Sequence, residues 1–302
     1  MTHPHHHVGH EHGHEGKHGI PVHRPGLLTL LGPMPILLTL ASVVTVTAAV
    51  LSTRAFDAAA ASAERTEELD RRAREGLLGK GFTPDGTEVT AGVEAMLPRA
   101  AFSLPLSHGT VTARPPSRAK LEAAKGALAK ELGRYPKGFL RKAKLRRVIF
   151  CEDLEEGGRS IPSLPNYAST LLVDADASPA FLARLVHHEV FHFVDFADDG
   201  LVVVDPAWEK LNPADFRYEG GGRTIRDPEA SAPTGPEGFV TRYATASLEE
   251  DKAEIFSWLM NDHALLAARS RGDAVLAAKV ARIDAIVRAF FPTSPVPYGS
   301  WP

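Results

Sequence analysis

Residues 178–200 read SPAFLARLVHHEVFHFVDFADDG, a capped apolar helix that carries an HExxH pattern. Ser178 offers a side-chain oxygen to the first free N–H groups. Pro179 follows at the first helical position, where its missing N–H costs no hydrogen bond. Apolar residues then recur at helical spacing until Gly200 closes the run. Within it, His188 and His192 stand four residues apart, on one face and one turn from each other, so both imidazoles can reach one ion. Glu189 is rotated about 100° from His188, so it can reach a water beside that ion without binding the ion itself. The competing reading is that two such histidines are core residues satisfied by hydrogen bonds alone.

Working outward, RRVIFCE (146–152) and TLLVDAD (170–176) read as two strands separated by a Gly/Pro/Ser loop. The second is a candidate to pair with an extended peptide by strand addition. Ser117 offers an N-cap for a helix to about Leu132, with Leu121, Ala124, Leu128 and Leu132 on one face. Helical patterns follow the HExxH helix at about 248–268 and 273–290. Two strands feeding a run of helices predict an α+β domain, with a small sheet, the HExxH helix and C-terminal helices.

A catalytic zinc takes three protein ligands and keeps one position open. His187 points off the metal face, and His108 and His263 stand alone. The better source is GFVTRYATASLEEDKAEIFSWLM (238–260), where Ser247 and Glu250 form a capping-box pattern opening a second helix. Glu250 and Glu254 share one face of that helix, and Glu249 points elsewhere. Capping and metal ligation compete for the Glu250 oxygens.

HHEVFHFVDF (187–196), Tyr243, Glu250 seven residues later and Glu254 one turn beyond resemble the gluzincins typified by anthrax lethal factor and the Pro-Pro endopeptidases. That group carries HExxH…Tyr-x6-Glu-x3-Glu. The resemblance implies a zincin-like metallopeptidase fold with Zn²⁺ held by His188, His192 and Glu250. It makes Glu189 the catalytic base and Tyr243 the hydrogen-bond donor to the transition state, with Asp195 and Glu254 in supporting positions. Asp251 and Lys252 depart from the pattern, standing where bulky apolar residues are usual. A Gly/Pro-rich insertion, 205–238, separates the two motifs and reads as a packed loop or as a wall over the cleft.

The rest of the chain places this domain. Of 302 residues, 34 are Lys or Arg and 37 Asp or Glu, a net charge of −3 that excludes an overall basic nucleic-acid binder. The single cysteine, Cys151, can neither close an intramolecular disulfide nor build a Cys-based zinc cluster. Nine of the fourteen histidines fall in residues 1–23, a tail suited to weak multi-site metal binding and unable to form a core. Leu27 to Ser52 is almost continuously apolar and long enough to span a bilayer.

The expected organisation is a His-rich tail (1–25), a transmembrane helix or signal anchor (26–53), a stalk or linker (54–115), the zincin-like domain (116–291) and a Pro-rich tail (292–302). Arg54, Arg65, Arg71 and Arg72 after the span outnumber Lys17 and Arg24 before it, which favours a cytoplasmic main domain. A short tail ahead of a signal anchor favours the opposite, and an extracytoplasmic domain is expected. Cleavage after the small residues 55–63 would instead release it. Residues 114–147 hold twelve Lys or Arg against two Glu, either a solvated face or a contact for an acidic partner or anionic lipid.

The expected function is a membrane-anchored zinc endopeptidase acting on a peptide or protein substrate, with Glu189 as general base to an activated water. The rival is a non-catalytic metal-binding or metal-sensing membrane protein with a degenerate site.

Overall fold

A computed structural model of the chain describes residues 61–62, 64–106, 109–198, 204–222, 225 and 232–292. The His-rich tail, the apolar stretch 27–52, His108 and residues 293–302 lie outside them. Among the described residues no helix is long and apolar enough to cross a membrane.

The element order is α1 (64–79), β1 (Phe82–Thr90), β2 (Val93–Pro98), β3 (Phe102–Leu106), β4 (Gly109–Arg114), α2 (Arg118–Leu132), α3 (Phe139–Lys142), β5 (Arg147–Glu156), β6 (Arg159–Ser160), β7 (Ser163–Tyr167), β8 (Thr170–Asp174), α4 (Pro179–Asp198), α5 (Pro206–Glu209), a 3-10 turn (Tyr243–Thr245), α6 (Leu248–Asn261), α7 (His263–Ser270) and α8 (Ala274–Phe290). This is a mixed α/β unit whose sheet is larger than expected.

β5 organises the sheet. Its first half runs parallel to β2 and β8, and its second half pairs antiparallel with β4 and β6. Alternation along the strand sends Val148 and Phe150 to one face and Ile149 and Cys151 to the other. The first pair, with Leu171 and Val173 of β8, packs on Leu121, Ala124 and Leu128 of α2 and on Val190 and Phe193 of α4. The second pair, with Leu172, packs on Leu77 of α1, Phe82, Leu104 and Val111. Burial on both faces explains why β5 reads as an unbroken apolar run.

Residues 64–114, expected as a helical stalk followed by short strands or a linker, form one helix and four strands that belong to the compact unit Ala63–Pro302 and are no separate stalk. Arg147 holds Asp70, and Arg74 holds Glu94 at 2.7 Å, so α1 is tied to the sheet. The loop expected between the two strands contains β6 and β7. A turn at Ala168 and Ser169, both at positive φ (53° and 57°), folds β7 back on β8. β8 is therefore flanked on both sides, by β5 and β7, and cannot receive a peptide. Among the described residues β7 pairs only with β8, so β7 is an edge of the sheet, the one beside β8.

The helix expected over 248–268 breaks at Asp262, whose side chain accepts from the Leu265 N–H at 2.9 Å and starts α7. The basic run 114–147 is largely neutralised from within. Arg114, Lys120, Lys125, Arg134, Arg141, Arg146 and Arg147 each meet an acidic side chain of this unit.

Candidate metal centre

Ser178 caps α4 as expected, its Oγ accepting from the Phe181 N–H at 3.3 Å. The helix is buried over most of its length, and it brings His188 and His192 to the face that packs on α6, with Glu189 turned toward β7. α6 begins at Ser247, yet the Ser247 side chain makes no cap hydrogen bond and its Oγ is buried without a partner. The capping box is thus not formed, which leaves Glu250 free to face α4.

The three ligand candidates meet there. Nε2 of His188 lies 2.9 Å from Oε2 of Glu250 and 3.1 Å from Nε2 of His192, which is 3.5 Å from the same Glu250 oxygen. Bonds of about 2.0–2.2 Å in a tetrahedral arrangement put ligand atoms roughly 3–4 Å apart. The donor set, two imidazoles and one carboxylate, suits Zn²⁺. Among the described residues this is the one group of three or more such side chains close enough to hold a metal ion.

The partners around it orient each group. Nδ1 of His188 is 2.8 Å from Oε1 of Glu254, which Arg184 approaches at 3.4 Å. The Tyr243 hydroxyl donates to Oε1 of Glu250 at 3.1 Å. Oε1 of Glu189 accepts from the Ser163 hydroxyl at 2.6 Å, and Oε2 is buried without a hydrogen-bond partner.

Electrostatics follow from this crowding. Burial depresses the His188 imidazole, but the Glu250 and Glu254 carboxylates outweigh it and push it up to about 10. Burial likewise opposes charge on Glu250, and His188 and His192 hold its carboxyl well below the usual range. Burial, then Glu250 and Glu189, raise the Tyr243 phenol far above its ordinary value, so it stays a protonated donor.

His187 takes no part. It is fully buried, with Nδ1 2.7 Å from the Tyr135 hydroxyl and Nε2 3.2 Å from Glu131. His263 is exposed at the start of α7. Cys151 is buried and its thiol is pushed up by burial.

The insertion proves to be both packed and close to the site. Trp208 is fully buried and donates to Oδ2 of Asp251 at 3.0 Å, as does the Tyr218 hydroxyl at 2.8 Å. Residues 219–222 then run along the 3-10 turn, with Glu219 N–H to Thr245 carbonyl at 3.1 Å and Gly221 N–H to Ala246 carbonyl at 2.7 Å. A Cβ at Gly222 would overlap the Tyr243 hydroxyl and Oε1 of Glu250, so only glycine fits this approach.

Asp251 and Lys252, the two departures from the expected pattern, are buried ion-pair members. Asp251 meets Lys279 at 2.7 Å, and Lys252 meets Asp195 at 3.0 Å and Asp205 at 3.1 Å.

The chain matches no family model, no curated protein and no solved structure. Ser163, Gly222, Asp205 and Lys279 were not singled out by sequence. Gly222 carried the one usable signal, three consecutive glycines at 220–222 within the insertion that precedes the Tyr243 motif.

Proposed function

We propose that the chain is a zinc-dependent endopeptidase of gluzincin type. The observation that carries this reading is the convergence of His188, His192 and Glu250 within 2.9–3.5 Å, beside a buried carboxylate with an unpartnered oxygen. A zinc ion held by these three side chains would supply Lewis-acid chemistry, acidifying a water and polarising a substrate carbonyl.

The remaining work falls to the chain's own groups. Glu189 receives the water proton on Oε2 and passes it to the leaving nitrogen. Tyr243 donates its hydroxyl proton in a hydrogen bond to the developing oxyanion, a contact commonly worth about 3 kcal/mol. Glu254 holds the Nδ1–H of His188 and so fixes the tautomer that leaves Nε2 for the metal. An extended peptide would pair along the open edge of β7. Attachment to a membrane through residues 27–52 belongs to the same proposal and rests on the apolar sequence, and the extracytoplasmic side of the domain rests on the short tail that precedes it.

The test compares full-length wild type with Glu189→Gln for zinc content and peptide-library cleavage. Equal zinc with hydrolysis reduced by about 10²–10⁴ is expected from loss of proton transfer alone. Equal hydrolysis in both proteins, with zinc bound, would favour a non-catalytic metal-binding role.

A further inference from the structure

Ser163 opens β7, in a segment that reads in sequence as loop. Its register partner on β8 is Val173, and paired residues across a ladder project to the same face. Val173 belongs to the core that α4 closes, so Ser163 turns toward α4 and its neighbour Leu164 turns away. The Ser163 hydroxyl then meets Oε1 of Glu189 at 2.6 Å. Glu189 is only 4% exposed and directly follows His188 on α4, which places it beside the same cluster.

A buried glutamate retains rotation about three side-chain torsions unless something holds it. Neither oxygen of Glu189 receives a backbone N–H among the described residues, and Ser163 supplies its hydrogen bond. A hydroxyl donating to a carboxylate is a short, charge-assisted contact that fixes the carboxylate plane. It also differentiates the two oxygens. Oε1 is occupied as an acceptor, and Oε2 is left to carry a proton.

We propose that Ser163 is the positioning residue for the base. Its hydroxyl locks Glu189 with Oε2 directed to the reaction, and it does so from the edge strand along which an extended peptide would pair. The inference rests on the peptidase reading for its catalytic consequence and on geometry alone for the positioning itself.

The experiment uses full-length Ser163→Ala, Ser163→Thr and Glu189→Gln beside wild type. For Ser163→Ala, zinc content and KM should stay within about twofold while kcat falls about 10–100-fold, as expected when a reacting group is misplaced by roughly 1 Å. Ser163→Thr retains the hydroxyl and should restore kcat to within about threefold of wild type. Crystal structures of the two Ser163 variants give a readout independent of turnover. The Glu189 carboxylate should leave its place in Ser163→Ala and keep it in Ser163→Thr. A carboxylate that stays fixed in Ser163→Ala, or an unchanged kcat when Glu189→Gln is inactive, overturns the inference. If Glu189→Gln matches wild type, the peptidase reading fails, and the crystal structures still decide whether Ser163 holds Glu189.

Discussion

Oε1 of Glu254 lies 2.8 Å from Nδ1 of His188, the ring nitrogen opposite the one that faces Glu250 at 2.9 Å. One imidazole is therefore gripped from both sides by two carboxylates a single turn apart on α6. Glu254→Gln keeps the shape and removes the charge. If His188 binds the proposed zinc, this should weaken zinc affinity about 10–100-fold, the usual effect of losing the carboxylate behind a metal-binding histidine. Competition against a chromophoric chelator measures this directly. Unchanged affinity would mean that Glu254 serves α4–α6 packing only.

Tyr243 makes its hydrogen bond to the Glu250 oxygen that does not face the histidines. If the chain is the proposed peptidase, Tyr243→Phe should leave zinc content and KM nearly unchanged and lower kcat by about 10²–10³, because the lost contact would be made mainly in the transition state. Steady-state kinetics on one cleaved peptide suffice. A rise in KM with kcat intact would assign Tyr243 to substrate binding instead.

Glu131 responds to acid. The hydrogen bond from His187 lowers its carboxyl, burial opposes this, and Arg134 adds to the lowering, for a net value of about 2. An unfolded glutamate titrates near about 4.3. The folded value is the depressed one, so the stabilisation is fully present above about pH 4.3 and is lost as pH falls toward 2. Glu131→Gln should cost about 1–3 kcal/mol at pH 7 and show a shallower decline over that acid window. Urea midpoints at pH 7, 4.5 and 3 give the comparison.

Where sequence and structure agree, a local signal was strong. Ser178 and Pro179 open α4 by side-chain chemistry within one turn, and the four-residue histidine spacing survives any tertiary context. Glu250 was reachable because α6 also carries helical periodicity. The edge strand was not legible. Pro165 interrupts β7, which an edge position tolerates. The turn after it uses Ala168 and Ser169 at positive φ, without the Asn-Gly that marks such hairpins. The helical character of 54–79 was legible, but the docking of α1 on the sheet was not, for a different reason. The helix is mostly charged, and the contacts that fold it onto the sheet, Leu77 in the core and Asp70 on Arg147, involve partners far along the chain.

Two helix starts give opposite expectations from similar residues. Asp262 caps α7 through Leu265 N–H at 2.9 Å, so Asp262→Ala should cost about 1 kcal/mol. Ser247 precedes α6, but its Oγ has no partner and is buried. Ser247→Ala should therefore fall within about 0.5 kcal/mol of wild type or be slightly stabilising, since an unsatisfied buried hydroxyl is removed. Equilibrium unfolding of both variants is the test. A loss of about 1 kcal/mol in Ser247→Ala would show that a cap forms there in solution.

Lys252 ties three segments together. Its ammonium sits between Asp195 at the end of the HExxH helix and Asp205 at the start of the insertion, and its side chain is only 2% exposed. Removing one partner from a buried ionic cluster leaves uncompensated charge, which usually costs about 3–5 kcal/mol. Lys252→Met fills the volume but removes the cation that both carboxylates face, so a loss of that size is expected in thermal or urea unfolding. Adding Asp195→Asn and Asp205→Asn to Lys252→Met removes the negative charge that Lys252 balanced and should recover most of the loss, because the penalty lies in the excess buried charge and not in the missing cation. Additive destabilisation in the triple variant would overturn that account and assign the loss to packing around Trp208, whose ring faces Lys252 at 6.0 Å.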